Sequence, residues 1–385
     1  MKILTVDIGT GTQDIFLYDS KLDIENGFKL ILPSPTMRMH HRINEATQRK
    51  DKIAIIGRIM GGGPSAWAIE SHLKAGLEVY ATLDAARTID DDLEKVAEKG
   101  VVLISEDEAM KLPDSVTRIN FKDFDFDETM RIFSQYGVNL DDLSAVAIAV
   151  FDHGDAPPDI SDRQFRFDYL DERIKLRNDL RTFAFTPEEI PRSMTRLQAA
   201  ADSCTTIDLP VIVMDTAPAA VLGATFDQNV KERTNILITN IGNFHTLAFR
   251  LNDGKIEGVF EHHTGLLKLE DLETLLIHLA DSTLTHEDVF NHHGHGALIY
   301  EPKPYHLNKE GFNLVVTGPR RNMIAKSRVS DPRLRPYYAV PYGDMMISGC
   351  FGLLAAAADK LPHLNESIQI SLSQHHGSDT APWDI

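Results

Sequence analysis

The chain has 385 residues, 43% of them hydrophobic, which is enough to bury two sizeable cores. A formal charge of -18 argues against duplex nucleic acid as a partner, because binding a phosphate backbone takes an excess of Lys and Arg. Two cysteines, Cys204 and Cys350, exclude a disulfide framework and a three-cysteine iron–sulfur signature; they suit a reducing cytoplasm, as does an N-terminus that enters a strand with no export signal. No apolar run approaches the about 20 residues of a membrane span.

Leu4 to Asp19 reads as two apolar strands joined by a Gly/Thr turn. Gly9 and Gly11 let the backbone turn with its N–H groups outward, and the hydroxyls of Thr10 and Thr12 add donors, so the turn suits a phosphate. Asp7 would sit beside that phosphate and hold Mg²⁺ through water. The structural alternative is a plain hairpin, since Gly and Thr suit turns and strands.

A third strand follows near Phe28 to Leu32, then a Pro/Met/His-rich link through Pro33, Pro35, His40 and His41. Strands are expected at Lys52 to Gly57, Leu77 to Ala81 and Val101 to Ile104, with helices at Pro64 to Lys74, Asp91 to Glu98 and Asp127 to Gln135. This alternation predicts a parallel sheet covered on both faces. Gly61, Gly62 and Gly63 open the first of these helices, where free N–H groups can meet a substrate anion or simply form a flexible turn. Acidic tracts such as Asp90 to Asp92 read as solvated faces.

Ser144 to Phe151 is apolar throughout and predicts a buried strand. Asp152, His153 and Asp155 follow it, where open α/β sheets place ligands. A carboxylate there can align a water or a substrate hydroxyl and His153 can take its proton; the alternative is that Asp152 caps the turn. Asp159 to Arg192, charged and aromatic, reads as an insertion serving as a lid or an interface. Leu209 to Gly223 is a strand running into an Ala-rich helix.

Asn235 to Leu251 repeats the first pattern as strand, polar Gly turn and strand, and Asn252-Asp253-Gly254 is a hairpin turn. Asn240, Gly242, Asn243, His245 and Thr246 occupy the second turn. Histidines then cluster at His262 and His263, which are expected to face a cleft and contact substrate; at His292, His293 and His295, a candidate second metal site; and at His375 and His376, for which no chemistry is expected. Asn313 to Arg321 is a strand ending in a turn at Gly318 and Pro319. Gly343 to Ala357 is a helix rich in small residues.

Taken in order, these five segments resemble the phosphate-1, first connecting, phosphate-2, adenosine and second connecting motifs of the actin, Hsp70 and sugar-kinase ATPase superfamily. The resemblance implies an α/β fold of two actin-like, ribonuclease H-like domains with a nucleotide cleft between them. It places the first domain at 1–230, with the insertion at about 159–192, the second at 231–342, and a returning helix and tail at 343–385. It implies ATP with Mg²⁺ as cofactors and a small-molecule substrate or a protein partner. Asp7, Gly9 to Thr12, Asn240, Gly242, Asn243, His245 and Thr246 would hold phosphates and metal, and Gly318 and Pro319 the base. More narrowly, the chain resembles a prokaryotic family labelled as pyruvate formate-lyase activating enzymes, a label whose radical chemistry two cysteines cannot support.

Two positions depart from the superfamily pattern. Asn240 stands where an acid is usual, so it can neither act as a base nor carry charge to the metal, and the adenosine turn is Gly-Pro rather than Gly-Gly. Three functions follow as alternatives: an ATPase or phosphotransferase, a nucleotide-gated activator with little hydrolysis, and a hydantoinase-like or metal-assisted enzyme on a carbonyl or amide.

Overall fold

The computed structural model describes residues 1–205, 207–307 and 311–373. His375 and His376 lie outside them. Among the described residues three sheets carry the fold. The first contains β1 (Lys2–Ile8), β2 (Thr12–Asp19) and β3 (Phe28–Pro33), and the small sheet β4 (Lys52–Gly57), β5 (Val79–Thr82), β6 (Val101–Ile104) and β7 (Val116–Phe121) follows. β8 (Leu143–Val150), β9 (Ala184–Phe185) and β10 (Val211–Asp215) complete the first sheet in the order β3-β2-β1-β8-β10-β9. The second six-stranded sheet contains β11 (Asn235–Ile241), β12 (His245–Asn252), β13 (Lys255–His263), β14 (Gly296–Ile299), β15 (Leu314–Thr317) and β16 (Pro336–Tyr338), ordered β14-β13-β12-β11-β15-β16.

The two large sheets repeat one topology. β1, β2 and β3 form an antiparallel meander, with β8 and β10 added in parallel beyond β1. In the same way β11, β12 and β13 form a meander, with β15 and β16 added in parallel beyond β11. A meander followed by two parallel strands, occurring twice in one chain, is the duplicated ribonuclease H-like fold of the actin-like ATPases.

The expected alternation between residues 52 and 121 forms a separate parallel sheet, β6-β5-β4-β7, with its own apolar cluster including Ile55, Ile69, Ala81 and Ile119. The expected link after β3 is instead the helix Pro35–Arg49. Ser34 accepts a hydrogen bond from the Met37 N–H, Pro35 occupies the first turn, and Met39, Ile43 and Ala46 form the buried stripe. These caps and this spacing outweigh the loop-like composition. The helix Glu106–Lys111 and strand β7 likewise escaped the sequence reading, although Ser105 and Glu108 make a capping box.

Two helices cross with almost no side chains between them. They are Thr216–Ala224, which follows β10, and Ser348–Lys360. A Cβ on Gly223 would lie 1.7 Å from the Ser348 carbonyl oxygen, and one on Gly352 would lie 1.9 Å from that of Ala219. Around them one apolar cluster takes residues from both large sheets, Val6, Ile148 and Val213 from the first and Ile238, Leu247 and Phe249 from the second. No helix among the described residues is long and apolar enough to cross a membrane.

Candidate functional site

A cavity of about 990 Å³ opens where the β1–β2 and β11–β12 turns meet. Both turns close in the same way: the Gly9 N–H donates to the Thr12 carbonyl at 2.9 Å and the Gly242 N–H to the His245 carbonyl at 2.9 Å. The tips abut, so that a Cβ on Gly11 would lie 2.7 Å from Asn243 Nδ2. Gly318, at φ +97°, tucks under the second turn, and a Cβ there would lie 2.5 Å from the Ile241 carbonyl oxygen. Thr10, Thr12, Asn240, Thr317 and Pro319 also line the cavity. Thr246 does not join them; it is buried, with its hydroxyl 2.9 Å from that of Thr264.

Asp7 ends β1 nearly buried, and its Oδ1 accepts a hydrogen bond from the Thr216 hydroxyl at 2.5 Å. Its ladder partner is Asp14, which the sequence reading passed over. An acid in the expected strand, directly before the apolar run Ile15-Phe16-Leu17, was the available signal, since unpaired acids are seldom buried. Burial pushes the Asp7 carboxyl up to about 7 against the Thr216 hydrogen bond, and burial together with the charge of Asp7 pushes Asp14 up to about 8. Asp14 Oδ1 is buried with no hydrogen-bond partner. Gly349 brings the N-terminal turn of Ser348–Lys360 against Asp7, where a Cβ would lie 1.9 Å from Oδ2.

The 152–155 turn divides its residues among three tasks. Asp152 uses both oxygens on backbone, accepting from Gly154 N–H at 2.9 Å and from Leu197 N–H at 2.8 Å, which is the capping arrangement. Asp155 lies 3.5 Å from Arg87. His153 turns toward the second sheet and meets His245 and His295, with ring centroids 5.3 and 5.7 Å away.

That contact belongs to a cluster no local motif announced. Ligand-capable atoms of His153, His245 and His295 all lie within 4.8 Å of one another. Glu261, fully buried on β13, accepts from His245 Nδ1 at 2.9 Å. Arg166, from the expected insertion, reaches Glu261 with Nε at 3.2 Å, bonds Asp215 at the end of β10, and stacks its guanidinium 4.6 Å from the Phe151 ring centroid. The 159–192 segment therefore forms an interface between the two large sheets through its helix Asp162–Leu176. Burial would raise the Glu261 carboxyl, but Arg166 and the imidazoles outweigh it and hold it well below the usual range. Burial and neighbouring charge push His153 well down and His295 down to about 3, so both imidazoles are neutral.

The grouping of His292, His293 and His295 as one metal site is corrected. His292 and His293 are exposed in the turn before β14, with His293 at φ +67°, and only His295 enters the core. Strand alternation does not apply ahead of Gly296, so shared direction at 293 and 295 fails. His262 holds its ring between backbone carbonyls, 3.1 Å from His263 O and 2.9 Å from His292 O, while His263 flanks the cluster, 4.6 Å from His295 between ring centroids. The Gly61–Gly63 turn lines the cavity, yet the Gly61 N–H is already donated to Asp123, which also pairs with Arg196 at 2.7 Å. Gly63 abuts the Phe244 ring, 2.4 Å from where its Cβ would be.

No curated protein matches the sequence. Among solved structures, the activator of the 2-hydroxyisocaproyl-CoA dehydratase from Clostridium difficile with bound ADPNP aligns at 9% identity and a TM-score of 0.36, over 95% of this chain and 97% of that one. ROK hexokinase from Thermus thermophilus aligns at 10% identity and a TM-score of 0.25, over 66% of this chain and 47% of its own. A ROK family transcriptional regulator, a homologue of the E. coli MLC protein, gives 11% and 0.27, over 66% and 37%. This chain thus spans less than half the length of either ROK protein, and at these scores the fold assignment rests on the strand orders given above. A family model matches residues 60–323, and the chain belongs to the family described as "Putative pyruvate format-lyase activating enzyme (DUF1786)".

Proposed function

We propose that this protein binds a nucleoside triphosphate with Mg²⁺ between its two Gly hairpins, with residues 1–230 on one side and 231–342 on the other. The observation that carries the reading is the repetition of one turn, with the same internal hydrogen bond, on both walls of one cavity. The residues fit a hard cation on the first wall. Asp7 and Asp14 face each other across the ladder, and Asp14 Oδ1 is an oxygen acceptor with nothing bonded to it. These two carboxylates would hold Mg²⁺, which supplies charge neutralisation for the phosphates when bound. Gly9 to Thr12 and Gly242 to His245 would position the phosphates, and Gly318 would admit the base.

Calorimetry with Mg-ATP tests this. Binding is expected, with a gain in folding stability of about 2.7 kcal/mol at one hundred times the dissociation constant, and Asp7→Ala is expected to abolish the Mg²⁺-dependent part. Absence of heat with every nucleoside phosphate tried would end the reading.

Asn240 favours a slow hydrolase, in which nucleotide occupancy changes what the protein does to a partner protein or a small molecule. With both oxygens bonded to backbone N–H groups, Asp152 would hold the turn in shape rather than take a proton.

A further inference from the structure

We propose that His153, His245 and His295 together bind one divalent first-row transition metal ion at the base of the cavity. Two independent observations carry this. The three imidazoles converge from sequence positions far apart, with ligand atoms mutually within 4.8 Å. His295 is fully buried, and neither of its ring nitrogens has a hydrogen-bond partner. A buried polar group without a partner is uncommon and calls for a water or an ion. The residues' own hydrogen bonds supply none.

The surroundings are those of a metal centre rather than of an aromatic cluster. Glu261 accepts from His245 Nδ1 at 2.9 Å, which puts the proton on that nitrogen and leaves Nε2 free to ligate. Glu261 is in turn held by Arg166, so its orientation is fixed. A carboxylate behind a ligating histidine is the usual outer support of such a site. Three nitrogen donors select zinc, iron, cobalt or nickel over Mg²⁺ and Ca²⁺, which prefer oxygen. Ligand nitrogens around zinc stand about 3.3 Å apart, so the rings need to close by no more than about 1.5 Å, within reach of side-chain adjustment. Since His153 follows β8 of the first sheet and the other two belong to the second, the ion would tie the two sheets together.

The test uses the full chain, stripped with a chelator and titrated with Zn²⁺ and with Co²⁺. Expected are one ion per chain by elemental analysis and a Co²⁺ absorption band of a nitrogen-rich site. His295→Ala and His245→Ala should each weaken binding by at least the roughly 10- to 100-fold typical of losing an outer support, and Glu261→Gln by an amount within that range. His292→Ala with His293→Ala, in the exposed turn, should leave it unchanged. Circular dichroism confirms that each variant is folded, and His245→Gln replaces any that is not. No stoichiometric ion in the folded wild-type chain, or binding lost with His292 and His293 and kept without His245 and His295, would overturn the proposal. Neither result depends on nucleotide, so failure here leaves the ATP reading standing, and the reverse.

Discussion

In the first hairpin Asp7 stands two residues before Gly9 and pairs with Asp14; at the same positions of the second hairpin stand Asn240 before Gly242 and Leu247 opposite it. Thr12, whose carbonyl closes the first turn, is replaced by His245. The backbone was kept while the charge moved. The acid of the second half is Glu261, one strand further out and opposite Leu247, and it is neutralised by Arg166, whereas no cation lies within salt-bridge distance of Asp7 or Asp14 among the described residues. The duplicated fold therefore has one wall with a facing pair of carboxylates and one wall of amide and imidazole. That asymmetry, rather than the fold, distinguishes this site from a symmetric phosphate clamp.

The largest test breaks the charge compensation of the second wall. Arg166 is fully buried between Asp215 and Glu261. Arg166→Met should therefore leave two buried carboxylates unpaired and cost about 3–5 kcal/mol, read as a fall in the urea midpoint. Adding Asp215→Asn and Glu261→Gln should recover most of the loss, because replacing a whole buried ionic group is far cheaper than orphaning part of it. A loss under about 1 kcal/mol for the single variant would mean that water already solvates the trio.

How much of this was legible in the sequence follows from which contacts are local. Both hairpins, the Ala-rich helix and the small-residue helix were readable because turn glycines and apolar periodicity act within about ten residues. The histidine cluster was not. Its members, His153 after β8, His245 at the start of β12 and His295 just before β14, are far apart in sequence, and the spacing that suggested a metal, His292, His293 and His295, brings only His295 into the core. Arg166 looked like one charge among many in Asp159 to Arg192, and its burial depends on Asp215 and Glu261, far along the chain. Asp152 shows a different limit: residue type and position suited catalysis, but both oxygens bond backbone N–H groups that only the folded chain brings near.

A smaller effect is expected from making the second turn resemble the first. Asn240→Asp would put an acid at the position that Asp7 holds in the first hairpin. Acceptor-independent ATP hydrolysis should rise, by about 10²-fold if the new carboxylate orients water as a general base does. Asp7→Asn, its mirror image, should weaken Mg²⁺-dependent nucleotide binding and raise no activity. An Asn240→Asp protein that binds Mg-ATP normally yet hydrolyses it no faster would show that the missing acid is not what limits turnover.

The smallest effect separates the two turns by sterics alone. A Cβ on Gly9 would meet the Thr12 carbonyl oxygen at 3.4 Å, an ordinary contact, whereas one on Gly242 would approach the His245 carbonyl oxygen to 2.8 Å. That carbonyl accepts the bond closing the turn, so it cannot retreat without loosening the hairpin. Gly9→Ala should accordingly be nearly neutral in folding stability, while Gly242→Ala should cost about 1–2 kcal/mol, the usual scale of overpacking. Because His245 moves with that carbonyl, Gly242→Ala should also disturb the imidazole cluster, and Gly9→Ala should not. Paired thermal melts, with Zn²⁺ titration of both variants, read the two effects separately. Equal costs at the two glycines would mean that the second turn is as accommodating as the first, and that its tighter closure has no bearing on where His245 stands.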